Sequence, residues 1–148
     1  MYRHILIPTD GSELSQGALA HGIAMAKVIN AKVTVVAVSA PFQTFFADPT
    51  LVMPGEFAKE HLERAREAAS ATGFGIETVH VEHDHPYQAI IDAATQRGCD
   101  LIVMASHGRR GLSAVVLGSE TVKVLTHSTI PVLVVRATPT AASAAIAA

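Results

Sequence analysis

Two hydrophobic rhythms alternate along this chain. Short runs of branched apolar residues, such as Ile5-Leu6-Ile7, Val35-Val36 and Leu101-Ile102-Val103-Met104, carry the signature of strands buried on both faces. Between them lie longer stretches whose apolar residues recur every three or four positions, as one face of a helix requires. The pattern predicts strands over 3–9, 31–39, 76–81, 101–104 and 130–135, with helices over 12–29, 56–72, 87–97 and 120–127. Leu14, Ala18, His21, Met25 and Val28 are read as the inner face of the first helix, with Gly17 and Gly22 allowing it close to the sheet. Glu60, Glu63, Arg64 and Glu67 are read as a solvated face of the second, supported by pairs three or four apart. Strict strand–helix alternation implies an α/β fold: an open sheet of five parallel strands with right-handed crossovers and helices on both faces.

Two stretches break the rhythm. Residues 41–55 hold Phe42, Phe45, Phe46, Leu51 and Met53 between prolines, too apolar for a plain linker. They read equally as a pocket cover, a partner contact or a flap on the chain's own domain. Residues 138–148 are almost all Ala, Thr, Ser and Pro, which predicts a disordered tail behind a single domain over 1–137.

Composition narrows the function. With 148 residues, 49% of them hydrophobic and 16% charged, the chain has enough apolar material for one proper core. A net charge of −2 offers no general case for nucleic-acid binding. No apolar run approaches the ~20 residues of a membrane span, and the opening strand is read as the start of the domain with no signal peptide expected before it. Cys99 is the sole cysteine, so no disulfide framework exists and a reducing, cytoplasmic setting is expected.

The chemistry gathers after the fourth strand. The segment Ala105-Ser106-His107-Gly108-Arg109-Arg110-Gly111 is small, flexible and basic, and Gly118-Ser119 follows just before a helix. Glycines between a buried strand and a helix let the backbone come close to a ligand. The helix start supplies unpaired N–H groups and a partial positive charge, a natural seat for phosphate. Ser119 can cap that end or lend its hydroxyl to a bound oxygen, and Glu120 and Thr121 follow in the same turn. Arg109 adds charge suited to phosphate oxygens; Arg110 reads as readily as a solvated charge.

This segment resembles the signature of the ATP-binding universal stress proteins: Gly, two residues, Gly, nine residues, Gly, then Ser or Thr. Here it stands as Ala105-Ser106-His107-Gly108, then 109–117, then Gly118-Ser119, with Ala105 replacing the first glycine. The opening His4-Ile5-Leu6-Ile7-Pro8-Thr9-Asp10-Gly11-Ser12 and the closing Pro131-Val132-Leu133-Val134-Val135 are similar to the same family, so the resemblance covers residues 1–136. It implies a Rossmann-like sheet of the adenine nucleotide alpha hydrolase type, with strand order 3-2-1-4-5. Strands 1 and 4 are then neighbours, and the ligand belongs outside their carboxyl ends, where the chain winds away in opposite directions.

By the same resemblance Asp10 lies near the adenosine, and Pro8, Thr9 and Val38 approach ribose and adenine. Met104 reads either as the floor of that pocket or as core, while His107 sits inside the signature without a catalytic role being required. The implied ligand is ATP, with or without Mg2+, and the implied assembly is a homodimer paired along 130–136, where Pro131 and Arg136 give the edge little protection. The Gly-x-x-x-x-Gly-Lys-Ser/Thr pattern is absent, which sets the chain apart from P-loop NTPases. His83-Asp84-His85 reads as a turn before Pro86 rather than as a metal site, because adjacent residues of an extended segment point to opposite sides. The expectation is a nucleotide-responsive dimeric regulator with an unnamed protein partner. The alternatives are a stress protein working through protein contacts alone, and a slow ATPase.

Overall fold

The structure is a computed structural model and describes residues 1–41, 54–107 and 117–136. The phenylalanine-rich stretch 42–53, the loop residues Gly108, Arg109 and Arg110, and the expected tail lie outside the described residues. In chain order the elements are β1 (His4–Pro8), α1 (Glu13–Ile29), β2 (Lys32–Ser39), α2 (Pro54–Ala71), β3 (Glu77–Glu82), α3 (Pro86–Gln96), β4 (Leu101–Ala105), α4 (Ser119–His127) and β5 (Val132–Val135). One parallel sheet joins the strands in the order β3-β2-β1-β4-β5, as the family resemblance implied.

Alternation along the central strands builds two cores. Ile5, Ile7, Val33, Val35, Leu101 and Val103 face α1 and α2, where Leu19, Ile23 and Leu62 meet them. Leu6, Val36, Ile102 and Met104 point the other way, against Ile90 and Ala93 of α3 and Val124 of α4. Strands covered on both faces have no polar side to show, which is why they read as continuous apolar runs.

The inner face of α1 differs from the sequence reading. Ser15, Ala18, Leu19, Gly22, Ile23 and Ala26 are buried, whereas His21 is exposed and Val28 is 86% exposed. The stripe is set one residue along because close approach selects small side chains: a Cβ on Gly22 would collide with Ile7 Cδ1. Gly17 faces open space and has no such role. Helix α2 also starts two residues earlier than expected, and β5 is shorter, beginning at Val132.

The two middle strands meet at one end only. β1 and β4 pair through Ile5↔Leu101 and Leu6↔Ile102, yet β1 runs on to Pro8 and β4 to Ala105. At their amino ends they are sewn together. The Asp100 carboxylate accepts the N–H groups of Arg3 (2.9 Å) and His4 (3.0 Å), and the Asp100 N–H donates to the His4 carbonyl at 2.9 Å. Beyond Leu6 the strands part, and that opening is the crevice a switch in winding direction creates.

Candidate functional site

Two turns leave this crevice, one after β1 and one after β4. In the first, Asp10 Oδ1 accepts the Ser12 N–H at 2.9 Å, and Gly11 takes φ +78°, a left-handed conformation open to glycine. Ser12 then caps α1: its hydroxyl accepts the Ser15 N–H at 3.2 Å. Thr9 and Ser15 hydroxyls meet at 3.2 Å, and Thr9 Oγ1 also accepts the Gly11 N–H at 3.3 Å. This turn supplies its own side-chain cap.

The turn after β4 is built otherwise. Thr121 Oγ1 donates to the Ala105 carbonyl at 2.9 Å, and the Gly118 N–H donates to the Ser106 carbonyl at 2.7 Å. These bonds draw the start of α4 against the end of β4. A Cβ on Gly118 would lie 2.8 Å from both Cα and Cβ of His107, so no larger residue fits there without a shift. Gly118 is also the N-cap of α4 and offers no side-chain cap. The first-turn N–H groups of α4 are therefore left for an acceptor from outside the helix. His107 is buried beside them, with Nδ1 3.1 Å from Ser106 Oγ.

Pro8, Thr9, Asp10, Val38, Met104, Ala105, His107, Gly118, Ser119, Glu120 and Thr121 all line one cleft of about 420 Å³. Gly108 and Arg109 lie outside the described residues. The sequence reading missed four further walls: Ser15, Val36, Pro86 and Ile90. Pro86 was visible as a helix start and Ile90 stands one turn on, but nothing local signals that α3 faces the crevice. Glu120 is engaged: Oε2 accepts the Tyr87 N–H at 2.8 Å, and Oε1 lies 3.5 Å from Lys123 Nζ.

A larger cleft, about 620 Å³, opens between α1 and α2. Its walls are mainly Leu19, Ala20, Ile23, Ala24, Ala65 and Ala68; at its rim Lys27 Nζ donates to the Thr72 carbonyl and Arg64 pairs with Glu60. Size favours this groove, but the start of α4, which has no side-chain cap, favours the smaller cleft, and chemistry decides. Among the described residues no cluster of His, Cys, Asp and Glu could hold a metal ion.

Away from the cleft, Cys99 and Asp100 are displaced in pKa. Burial, then the negative charge of Asp100, pushes the Cys99 thiol up to about 11. Burial raises the pKa of Asp100 as well, but the N–H groups of His4, Arg3 and its own backbone outweigh that and leave it lowered.

Comparison with known proteins follows the same outline. Residues 1–136 match the model of the universal stress protein family. The chain is 34% identical over 142 residues to the universal stress protein MJ0531 of Methanocaldococcus jannaschii, covering 92% of this chain and 83% of the relative. It is also 34% identical over 140 residues to a universal stress protein of Thermus aquaticus, covering 92% and 100%. Among solved structures, hypothetical protein MJ0577 superposes with a TM-score of 0.78 at 30% identity, over 95% of this chain and 99% of that one. A universal stress protein in complex with cAMP gives 0.70 at 24% identity, over 90% of this chain and 97% of that one. One from Archaeoglobus fulgidus in complex with dAMP gives 0.69 at 22%, with the same coverage; these last two likenesses establish the fold alone.

Proposed function

We propose that this chain, which belongs to the universal stress protein family, binds an adenine nucleotide between β1 and β4 and acts as a dimeric, nucleotide-responsive regulator of a stress response. The observation that carries the reading is the uncapped start of α4, aimed into the cleft beside the parted ends of the two central strands. The cAMP and dAMP bound by two proteins of this fold point to the same ligand class.

The ligand's phosphates belong at the start of α4, on the Ser119 hydroxyl and the N–H groups of Ser119, Glu120 and Thr121, with Gly108 and Arg109 as further contacts; the Gly118 N–H and the Thr121 hydroxyl are already taken by the Ser106 and Ala105 carbonyls. His107 keeps one ring nitrogen on Ser106 and has the other for a ligand oxygen. Val38 and Met104 offer apolar contact to the base, and Pro8, Thr9 and Asp10 approach the ribose. ATP is the form proposed, with Mg2+ bound through the phosphates rather than through protein carboxylates.

The second half of the reading is assembly. β5 is half-buried along its whole length, pairs among the described residues with β4 alone, and has apolar side chains at every position. Such an edge invites a second copy across a two-fold axis. Val134→Lys is expected to shift the protein from dimer to monomer in sedimentation while the fold persists. No helix among the described residues is long and apolar enough to cross a membrane, and we place the protein in the cytoplasm.

Ala105 favours one competing reading, a stress protein that works without nucleotide. Its methyl group stands where the family signature has glycine and lines the cleft. Equilibrium dialysis with labelled ATP and AMP separates the two. Saturable retention, together with an adenine nucleotide found by mass spectrometry in the untagged purified protein, supports the proposal. No retention at millimolar nucleotide supports the competing reading.

A further inference from the structure

We propose that Glu120 is a positioning residue: from α4 it caps the start of α3 and so fixes the gap between the two helices that wall the cleft. This rests on the nucleotide reading above and assigns Glu120 a role through α3 rather than on the ligand. Helix α3 begins with Pro86, which has no N–H, and its N-cap His85 makes no side-chain cap bond. The Gln88 and Ala89 N–H groups reach the His85 carbonyl at 3.1 and 3.2 Å. Tyr87 is thus the first free donor of the helix, and its N–H goes to Glu120 Oε2 at 2.8 Å, 33 residues along the chain.

The rest of that α4 face closes on the same residue. Lys123 Nζ stands 5.6 Å from the centre of the Tyr87 ring and 3.5 Å from Glu120 Oε1, and the His127 ring is 5.2 Å from Tyr87. Glu120, Lys123 and His127, spaced three and four apart, form one stripe directed at Tyr87. A carboxylate at the start of α3 also meets the positive end of that helix's dipole. Pro86 and Ile90, which α3 contributes to the cleft, are thereby held opposite Ser119 and Thr121 of α4. The arrangement turns the Glu120 charge onto α3 and Lys123.

The test uses the full chain with AMP as the probe. Two readouts are needed: exchange of the Tyr87 amide proton without nucleotide, followed by NMR, and AMP affinity by calorimetry. Glu120→Ala is expected to speed Tyr87 exchange and weaken AMP about tenfold, an effect on the scale of one lost helix cap. Glu120→Gln keeps an acceptor for the Tyr87 N–H and is expected to restore both to within about threefold. Lys123→Ala leaves the cap in place and is expected to bind AMP within about twofold of wild type. Wild-type affinity in Glu120→Ala overturns the assignment. So does a Gln variant as weak as the Ala variant with Tyr87 exchange unchanged, since the carboxylate would then act on the ligand itself. Failure of the wild type to bind AMP, with Tyr87 protected, overturns the nucleotide reading and this assignment with it.

Discussion

The turns after β1 and β4 use the same materials and reach opposite ends. Each leaves a central strand, passes a glycine, and opens a helix with a serine. After β1 the serine is the N-cap, and Ser12 satisfies the Ser15 N–H. After β4 the N-cap is Gly118, and Ser119 falls one position inside the helix. A shift of one residue in frame decides whether a helix end is closed by its own chain or left for a ligand. Gly118 holds that frame because His107 leaves no room for a Cβ.

The strongest way to break this contrast is Gly118→Val. Its side chain forces α4 away from His107, and adenine nucleotide affinity is expected to fall at least 100-fold (about 2.7 kcal/mol), while circular dichroism still shows a folded chain. An unchanged affinity would mean that the start of α4 is not where the ligand sits.

Next in size is Asp100, at the end of the sheet where β1 and β4 are joined. Asp100→Ala is expected to cost about 1–2 kcal/mol of stability, because the Arg3 and His4 N–H groups lose a charged acceptor, discounted for partial exposure. Nucleotide affinity, measured on the folded fraction, should stay within about twofold. The pH dependence follows from the lowered pKa of Asp100. Its contribution is present above the unfolded carboxylate value, roughly 3.9, and is lost as pH falls through the lower folded value. Denaturant melts of wild type and variant should therefore differ at pH 7 and converge in strong acid.

Ser12→Ala sharpens the contrast from the other side. It opens the α1 end at a cost of about 1 kcal/mol, a fall in Tm of roughly 2–4 °C for a chain of this size, with little change in nucleotide affinity. The smallest effect is at Cys99. With its thiol pushed up to about 11 and its side chain buried, it should resist iodoacetamide at pH 7 in the native state and react once the protein is unfolded.

Much of this architecture is legible in the chain because its strands are buried on both faces. Ile5-Leu6-Ile7 and Leu101-Ile102-Val103-Met104 admit no solvent-facing alternation, and the stretches between them set the helices. The α1 face was read only in part: Ala18 is buried and Met25 packs on the core as expected, but Gly22 and Ala26 are chosen for closeness, while the more hydrophobic Val28 is exposed. In the cleft, residues on the two turns could be named because turns have local chemistry. The α3 wall could not, since the Glu120–Tyr87 bond joins positions 33 residues apart and leaves no local trace. Thr121 shows the same limit, as its hydroxyl is occupied by the Ala105 carbonyl across a loop of 16 positions.

The direct test of the contrast is a titration of the 15N-labelled protein with ATP, following backbone amides at both helix starts. The account predicts that Ser119, Glu120 and Thr121 move together and saturate, while Ser12 to Ser15 shift little. Saturating shifts confined to the start of α1, or none at either helix, would contradict it.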